Sequence, residues 1–426
     1  MYDEKIISYH TFMLPFTFKE KDITLLQQNW EQIQYKIGYN QEAYFHDFFK
    51  NSLFNDTSYY EHKIKNTKLI LKVSKKYELI FENATLRVFG TNIAILTLNL
   101  KNTQHYDIKS ILEINDNIRR LYPEYLDYDE QKSGLVPEFI ALDSITENFV
   151  FDKTKQLPTI SKIIDIFIPT SKITPAIDDR MFVICFYQNK QFSNQLQNNF
   201  IYNDDWYKYV FVNGSHKTVQ DDIMQKELIV NATYTRWHKK GTLYGITKYS
   251  FVCISKNNFP LQHIQTIYFN IFSLLLMIRA TLLNFSKEIS NIAKHLEVQD
   301  TSKYVTKLYE NYIKFVNRYY FREVTAKDQG TEIYEKAMTI LKIQRDIKDL
   351  DAEIEELHNY IDMKQQKETA STMNTFTYIG GALLPPSIVT GFYGMNGTLP
   401  FQEYSVYIAI CSFFIIPLYL LIKGKR

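Results

Sequence analysis

Cysteine is scarce in this chain, and its thiols lie far apart. Of the 426 residues, 3 are cysteines, at Cys185, Cys253 and Cys411, with no CxxC spacing. Such sparse thiols exclude a disulfide framework and a cysteine-based metal site. The formal net charge is only +2, so no strong electrostatic field indicates a nucleic-acid partner.

The motifs of common enzymes and of exported proteins are also missing. The 9 histidines form no HxH or HExxH pattern, and no GxSxG or glycine-rich phosphate loop occurs. We therefore expect no enzymatic activity. Residues 1–16 carry acidic side chains and no long apolar core, so we expect no signal peptide and a cytoplasmic N-terminal region.

Residues 1–255 are predicted to form a mixed α/β domain. Runs of β-branched and aromatic residues bounded by turn-forming residues predict strands at 69–73, 78–82, 93–100, 181–187 and 227–235. Apolar residues at helical spacing predict a helix at 107–121. Strands that alternate with helices favour a layered α/β domain.

Residues 256–372 are predicted to form a helical bundle and a stalk. The apolar run 267–278 is too short to cross a bilayer and predicts a buried helix, and a second helix is predicted at 302–323. A third helix carries an a/d heptad stripe formed by Ile340, Ile343, Ile347, Leu350, Ile354, Leu357 and Ile361. The stripe predicts a self-associating stalk or, alternatively, an ordinary amphipathic helix of a bundle. The acidic residues between 346 and 356 form either a solvated face or a collar that concentrates cations.

Residues 373–426 are predicted to form a transmembrane hairpin. The uncharged segments 375–393 and 404–422 each give about 28 Å of helix, close to the roughly 30 Å of a hydrocarbon core. Basic residues precede the first span and follow the second, namely Lys364, Lys367, Lys423, Lys425 and Arg426. The positive-inside rule then places both termini in the cytoplasm of a multi-pass protein in the inner (plasma) membrane. The predicted fold class is an α+β membrane protein with a cytoplasmic α/β domain, a long helical stalk and two C-terminal transmembrane helices.

Two spans cannot enclose a pore, so a pore requires several copies around an axis. No glycine or proline lies between Gly330 and Gly380, so the stalk is predicted to continue into the first span and to align it along the pore. One face of that span carries small, weakly polar and apolar residues at three- and four-residue spacing, and these pore-lining candidates are Met373, Phe376, Gly380, Leu384, Ser387 and Gly391. The alternative is that this face packs against a neighbouring span.

The sequence Gly394-Met395-Asn396 follows the first span directly, and a short loop, a final span and a basic tail follow it. In this context the chain resembles the CorA family of magnesium channels. The resemblance implies a homopentamer that conducts Mg²⁺, with Gly394, Met395 and Asn396 as its selectivity filter. The resemblance also implies an acidic residue in the outer loop that attracts cations, for which Glu403 is the candidate, although it is displaced from the family's usual position.

The resemblance also implies regulation, and here the sequence leaves alternatives open. Family members bind cytoplasmic Mg²⁺ between subunits, for which Glu332 and Glu335 are candidates, although both also suit a solvated helix face. The stretch 237–247 is similar to a branch of the family found beside type III CRISPR systems, whose members are opened by a nucleotide second messenger. There the candidate ligand-binding residues are Arg236, Trp237, Lys239, Lys240 and Tyr244, with cations for a phosphate and rings for a base. A β-hairpin with a basic tip is the alternative, and a zinc or other divalent-metal transporter of the same family is another.

Overall fold

The computed structural model describes residues 5–120, 137–143, 151–152, 161–214, 217–294 and 301–395. The chain divides into two compact units, the first formed by Met1–Lys294 with Glu310–Asp351 and the second by His295–Tyr309 with Ala352–Arg426. The first unit therefore holds the mixed α/β part, and the second is helical in its described residues.

The first unit is built on a 12-stranded sheet. Its strands are β1 (Ser8–Phe18), β2 (Trp30–Gln32), β3 (Ser58–Lys72), β4 (Lys76–Val88), β5 (Ile93–Asn102), β6 (Phe139–Leu142), β7 (Phe151–Asp152), β8 (Ile173–Pro175), β9 (Phe182–Gln188), β10 (Thr233–Tyr234), β11 (Thr242–Ile246) and β12 (Ser250–Ser255). The order is β10-β11-β12-β9-β1-β5-β4-β3-β6-β7, with β2 paired to β3 and β8 paired to β1. The β12–β9 pair is parallel, whereas β1 is antiparallel to both β5 and β9.

The central strand β1 shows how the sheet accommodates a proline. Nearly all of its residues are buried, because a strand covered on both faces need not alternate apolar and polar residues. Proline lacks an N–H donor and is normally confined to sheet edges and bulges. Pro15 falls between the part of β1 that pairs with β9, which ends at Met13, and the part that pairs with β8, which begins at Phe16. Pro15 also lies opposite Ile95 of β5, and its carbonyl accepts from the N–H of Ala176 at 2.9 Å. The missing donor therefore falls where β1 changes from one pairing partner to another.

The described part of the chain has nine short α-helices. Eight precede the helical region, namely Ile23–Leu26, Tyr39–Tyr44, Asp47–Lys50, Ile108–Ile118, Ser161–Ile164, Lys190–Asn199, Asp204–Phe211 and Asp222–Ala232, and the ninth, Asp328–Ile340, lies within it. Three longer helices are Phe259–Ala293, which we name the core helix, Thr301–Tyr319, and Ile343–Met395, which we name the long helix. The predicted strands at 69–73, 78–82, 93–100 and 181–187 and the predicted helix at 107–121 are thus confirmed.

One predicted strand is wrong. Residues 227–235 were expected to be extended, but most of them belong to the helix Asp222–Ala232, and only Thr233–Tyr234 is strand. The carboxylate of Asp221 accepts a hydrogen bond from the backbone N–H of Met224 at 2.7 Å, which caps this helix at its N-terminus. Ile229 and Ala232 are buried on one face, so helical packing overrides the local β-branched preference.

The core helix packs against β1 and β5. It begins with Pro260 in its first turn, a favourable position for proline. Within the described residues it is the one helix long and apolar enough to cross a membrane by length and composition, yet 83% of its apolar window is buried inside the protein. This burial is what the sequence predicted for the run 267–278, although the helix around the run is 35 residues long.

The stalk prediction is modified at its start. The helix Asp328–Ile340 ends at Leu341, and Lys342 adopts a left-handed conformation with φ of 60°. A left-handed lysine costs about 1–2 kcal/mol, and no glycine or proline in the sequence marks this break. From Ile343 the long helix runs for 53 residues to Met395 without interruption, through the predicted stalk and into the predicted first span.

Much of the heptad stripe is already buried within a single chain. Ile343, Leu350, Ile354 and Ile361 are buried. In the first unit the hydroxyl of Tyr312 donates to the carbonyl of Ile347 at 3.0 Å. In the second unit the ring of Tyr309 lies 4.8 Å from that of His358. Both tyrosines belong to the helix Thr301–Tyr319. As far as Ile361, the long helix therefore packs as the alternative prediction of an ordinary bundle helix stated.

Candidate functional site

The apolar side chains that the structure describes on the C-terminal part of the long helix are exposed. Met373 is 63% exposed, Phe376 66%, Leu384 58% and Ile388 63%. Tyr378, Ile379 and Leu383 are exposed as well and occupy other directions around the helix. A helix that is apolar all round normally lies in a protein core or in a membrane. This segment therefore needs an environment that the described residues of the chain do not supply.

The predicted pore-lining residues lie together on this helix. Its regular conformation from Ile343 to Met395 places positions 373, 376, 380, 384, 387 and 391 along one stripe. A Cβ atom added at Gly380, Gly381 or Gly391 would meet nothing within 4 Å. Packing among the described residues therefore does not explain why small residues occur there.

The predicted first span is less apolar than its uncharged sequence suggests. Segment 375–393 does not qualify as a membrane span by length and mean hydropathy, because Gly380, Gly381, Pro385 and Pro386 interrupt its large side chains. The long helix nevertheless passes through both prolines. Gly394 and Met395 form its last turn, whereas Asn396, Glu403 and the predicted second span 404–422 lie outside the described residues.

The two candidate regulatory carboxylates lie on the helix Asp328–Ile340. Glu332 accepts hydrogen bonds from the guanidinium of Arg236 and from the hydroxyl of Tyr234, and Asp328 accepts from Nη2 of Arg236 at 3.2 Å. Burial, followed by the neighbouring Glu332 carboxylate, raises the pKa of Tyr234. Glu335 is exposed. A cation at Glu332 would therefore have to displace an arginine.

No group of three or more metal-ligating side chains occurs in the part of the chain that the structure describes. A metal site on Glu332 or Glu335 would accordingly need ligands from elsewhere, such as a second copy. Sites of this type are compatible with the magnesium ion, which keeps several waters and uses one or two carboxylates.

A cavity of about 470 Å³ in the first unit brings together three of the five predicted ligand-binding residues. Trp237, Lys240 and Tyr244 line it, together with Thr242, Asn257, Phe259, Pro260, His263 and Gln329. The ammonium of Lys240 lies 4.7 Å from the centre of the Trp237 ring, and the indole N–H of Trp237 donates to Oε1 of Gln329 at 2.8 Å. Phe259 is 74% exposed.

The local sequence explains how these side chains are presented. Residues His238–Lys240 form a 3₁₀ turn that ends at Gly241, where φ is 75°. This left-handed conformation favours glycine, and a Cβ at Gly241 would in addition force the Lys256 side chain to move, because it would lie 2.3 Å from Cε of Lys256. The turn links β10 to β11, which are antiparallel, so Lys239 and Lys240 lie at the tip of a hairpin as the alternative prediction stated.

Arg236 and Lys239 do not join the cavity. The guanidinium of Arg236 is engaged with Asp328 and Glu332. Sequence reasoning missed Phe259, His263 and Gln329, which come from later segments. Burial lowers the pKa of His263, so this imidazole is neutral in the cavity at neutral pH. The cavity thus offers aromatic surface, the ammonium group of Lys240 and the two side-chain amides of Asn257 and Gln329.

Residues 255–423 match the family model described as "CorA-like Mg2+ transporter protein". This range contains the core helix, the long helix and residues 396–423. Searches of the curated proteins and of the solved structures gave no match.

Proposed function

Because residues 255–423 of this chain match the CorA-like Mg²⁺ transporter family, we propose that several copies of it form a divalent-cation pore in the inner (plasma) membrane. The proposed ion is Mg²⁺, and the family resemblance implies five copies. The family is one of membrane transporters and not of enzymes. The observation that carries the proposal is the exposure of the apolar residues Met373, Phe376, Leu384 and Ile388 on the long helix, which ends at Gly394 and Met395.

The exposed apolar residues supply the physical reason for a membrane. Burying one large apolar side chain is worth about 1.5–3 kcal/mol. Exposure to water would therefore cost this helix several kcal/mol of free energy, summed over Met373, Phe376, Leu384 and Ile388. A bilayer on one side and neighbouring copies on the other would cover them, which fits the prediction of a hairpin of two spans with cytoplasmic termini.

The stripe from Met373 to Gly391 supports the assignment of this helix to the pore wall. Small residues let helices approach closely, and apolar ones form a constriction. At its outer end, a ring of Asn396 carboxamides with Gly394 and Met395 would hold Mg²⁺ through its water shell, because this ion dehydrates reluctantly. Neutral amides bind it weakly enough for release, which conduction requires. Glu403 would raise the local cation concentration at the mouth.

A second candidate is a channel opened by a nucleotide second messenger, as in the CRISPR-associated branch. The Trp237 cavity favours it: aromatic faces there suit a base, and Lys240 suits a phosphate. Regulation by Mg²⁺ at Glu332 and Glu335 is the competing mechanism of control, and zinc or another divalent metal is the competing cargo.

Ion flux into liposomes that contain the purified protein tests the proposal. Flux of Mg²⁺ that rises with protein content, and that Mg²⁺ on the cytoplasmic side suppresses, supports a self-regulated magnesium channel. Flux of Zn²⁺ but not Mg²⁺ reassigns the cargo. A correctly folded oligomer that passes neither ion until a nucleotide is added favours the second candidate, and one that never conducts refutes the pore.

A further inference from the structure

A second cavity in the first unit is lined by an excess of positive charge. Its volume is about 190 Å³, and four cationic side chains face it: Arg119, Arg180, Lys248 and Arg279. The single carboxylate of its lining is Asp178. The cavity lies where the core helix meets the start of β9 and the turn before β12, and it shares no lining residue with the Trp237 cavity.

Two of the four cations are neutralised by their own neighbours. Arg119 is buried and donates from Nε and Nη2 to one oxygen of Asp116, at 3.0 and 2.8 Å. Arg180 donates from Nη2 to Asp178 at 3.1 Å. These ion pairs account for the only carboxylate of the lining and leave none for the remaining pair.

Lys248 and Arg279 have no carboxylate within ion-pair distance among the described residues. Nη1 of Arg279 donates to the backbone carbonyl of Lys248 at 3.2 Å, which holds the guanidinium next to the lysine. Burial, followed by the positive charges of Lys342, Arg279 and Arg345, lowers the pKa of Lys248. Two cations thus face one small cavity with no carboxylate in ion-pair contact, although the negative charges of Asp346 and Asp178 act on Arg279 from farther away. An anion in the cavity would complete the neutralisation of both side chains.

We propose that this cavity binds a small phosphate-type anion, either as free phosphate or pyrophosphate or as the phosphate end of a larger metabolite. A guanidinium presents parallel N–H donors that match phosphate oxygens, and an ammonium adds a mobile point charge. A volume of about 190 Å³ admits such an ion with a few waters at about 30 Å³ each. It is below the roughly 300–1,000 Å³ of cavities that enclose drug-sized ligands.

The site also lies close to the start of the long helix. Lys342, the left-handed residue before that helix, and Arg345 in its first turn both act on Lys248, opposed by Asp346. An anion at Lys248 and Arg279 would relieve this repulsion. It would thereby stabilise the junction at Lys342 between the helix Asp328–Ile340 and the long helix. The effect of the anion on conduction rests on the proposed function, whereas the binding itself does not.

Thermal unfolding of the full chain in detergent tests the binding, with inorganic pyrophosphate as the probe in magnesium-free buffer of constant ionic strength. The unfolding temperature of the wild type is expected to rise and saturate. Arg279→Met and Lys248→Met are expected to weaken the apparent affinity at least about tenfold, and the exposed control Lys190→Met to leave it unchanged.

A charge reversal distinguishes a site from a general salt effect. Lys248→Glu supplies Arg279 with an internal carboxylate, so this variant is expected to unfold at a higher temperature than the wild type without pyrophosphate and to lose the response to it. No saturable shift in the wild type, or equal shifts in the wild type and all variants, would overturn the proposal. Because binding is measured without ion flux, failure here and failure of the pore proposal are separate results.

Discussion

The buried guanidinium of Arg87 donates a hydrogen bond from Nη2 to the amide oxygen of Asn270 at 3.0 Å. No carboxylate pairs with Arg87 in the described part of the chain, and its Nε and Nη1 have no hydrogen-bond partner there. Instead, four aromatic rings lie 5.1–5.9 Å from the guanidinium carbon, those of Tyr35, Phe54, Tyr59 and Phe269. Asn270 thus links the core helix to β4 through the guanidinium of Arg87, which the aromatic rings surround.

Loss of this bond should destabilise the first unit. Asn270→Leu leaves Nη2 of Arg87 unpaired as well, and we expect it to lower the free energy of unfolding by about 1–3 kcal/mol. The double variant Arg87→Met/Asn270→Leu removes both polar partners and should recover most of that loss. Denaturant unfolding of the four proteins measures the cycle, and simple additivity of the two substitutions would contradict this account.

The filter assignment predicts a specific effect of one amide. Asn396→Ala removes the carboxamide that would hold hydrated Mg²⁺, and we expect Mg²⁺ flux in liposomes to fall by more than about tenfold. Asn359→Ala on the exposed face of the long helix is the matched control and should conduct as the wild type does. Normal flux in Asn396→Ala would remove Asn396 from the filter.

The stripe on the long helix predicts a difference between two adjacent glycines. Gly380 lies on the predicted pore face, whereas Gly381 points about 100° away around the helix. A leucine at position 380 should narrow the path and reduce flux several-fold. Gly381→Leu, with the same gain in volume and helix propensity, should reduce it much less. If the two variants conduct equally, the pore lies along another face.

The Trp237 cavity predicts a fluorescence response to a nucleotide. Among the 3 tryptophans, Trp30 and Trp206 are buried, and Trp237 lines the cavity. A base that stacks on it should quench its emission. Titration with AMP should therefore give saturable quenching that disappears in Trp237→Phe and weakens in Lys240→Met. Quenching that persists in Trp237→Phe, or none in the wild type, would argue against the nucleotide-gated candidate.

The carboxyl pair Asp178 and Asp179 predicts a pH dependence of stability. Burial, together with the hydrogen bond and negative charge of Asp178, raises the pKa of Asp179 to about 6. A raised carboxyl pKa means that the folded state binds the proton more tightly, so this contribution to stability is present at low pH and is lost as the pH rises towards 6. We therefore expect the free energy of unfolding of Asp179→Asn, relative to that of the wild type, to be higher at pH 7 than at pH 4. Denaturant unfolding at both pH values measures this difference. A pH-independent difference would show that Asp179 titrates normally.

Local patterns predicted much of the architecture. The strands at 69–73, 78–82, 93–100 and 181–187 were read correctly because each is bounded by turn residues and rich in β-branched or aromatic side chains. The family resemblance rested on a tripeptide and its surroundings, and the match over residues 255–423 confirms it. The strand predicted at 227–235 failed because the cap at Asp221 and the burial of Ile229 favour a helix.

The sequence by itself determined the features that repeat along the chain: the helical stripe from Ile343 to Ile361, the uncharged segments near the C-terminus and the motif between them. These depend on the geometry of one element, which the spacing of side chains encodes directly. Tertiary structure decided which groups meet across the fold. It buried Ile343, Leu350, Ile354 and Ile361 of the stripe, set Gln329 beside Trp237 and placed Arg279 next to Lys248. Such pairs are distant in the chain, and their contacts follow from the packing of whole elements, which no local pattern specifies.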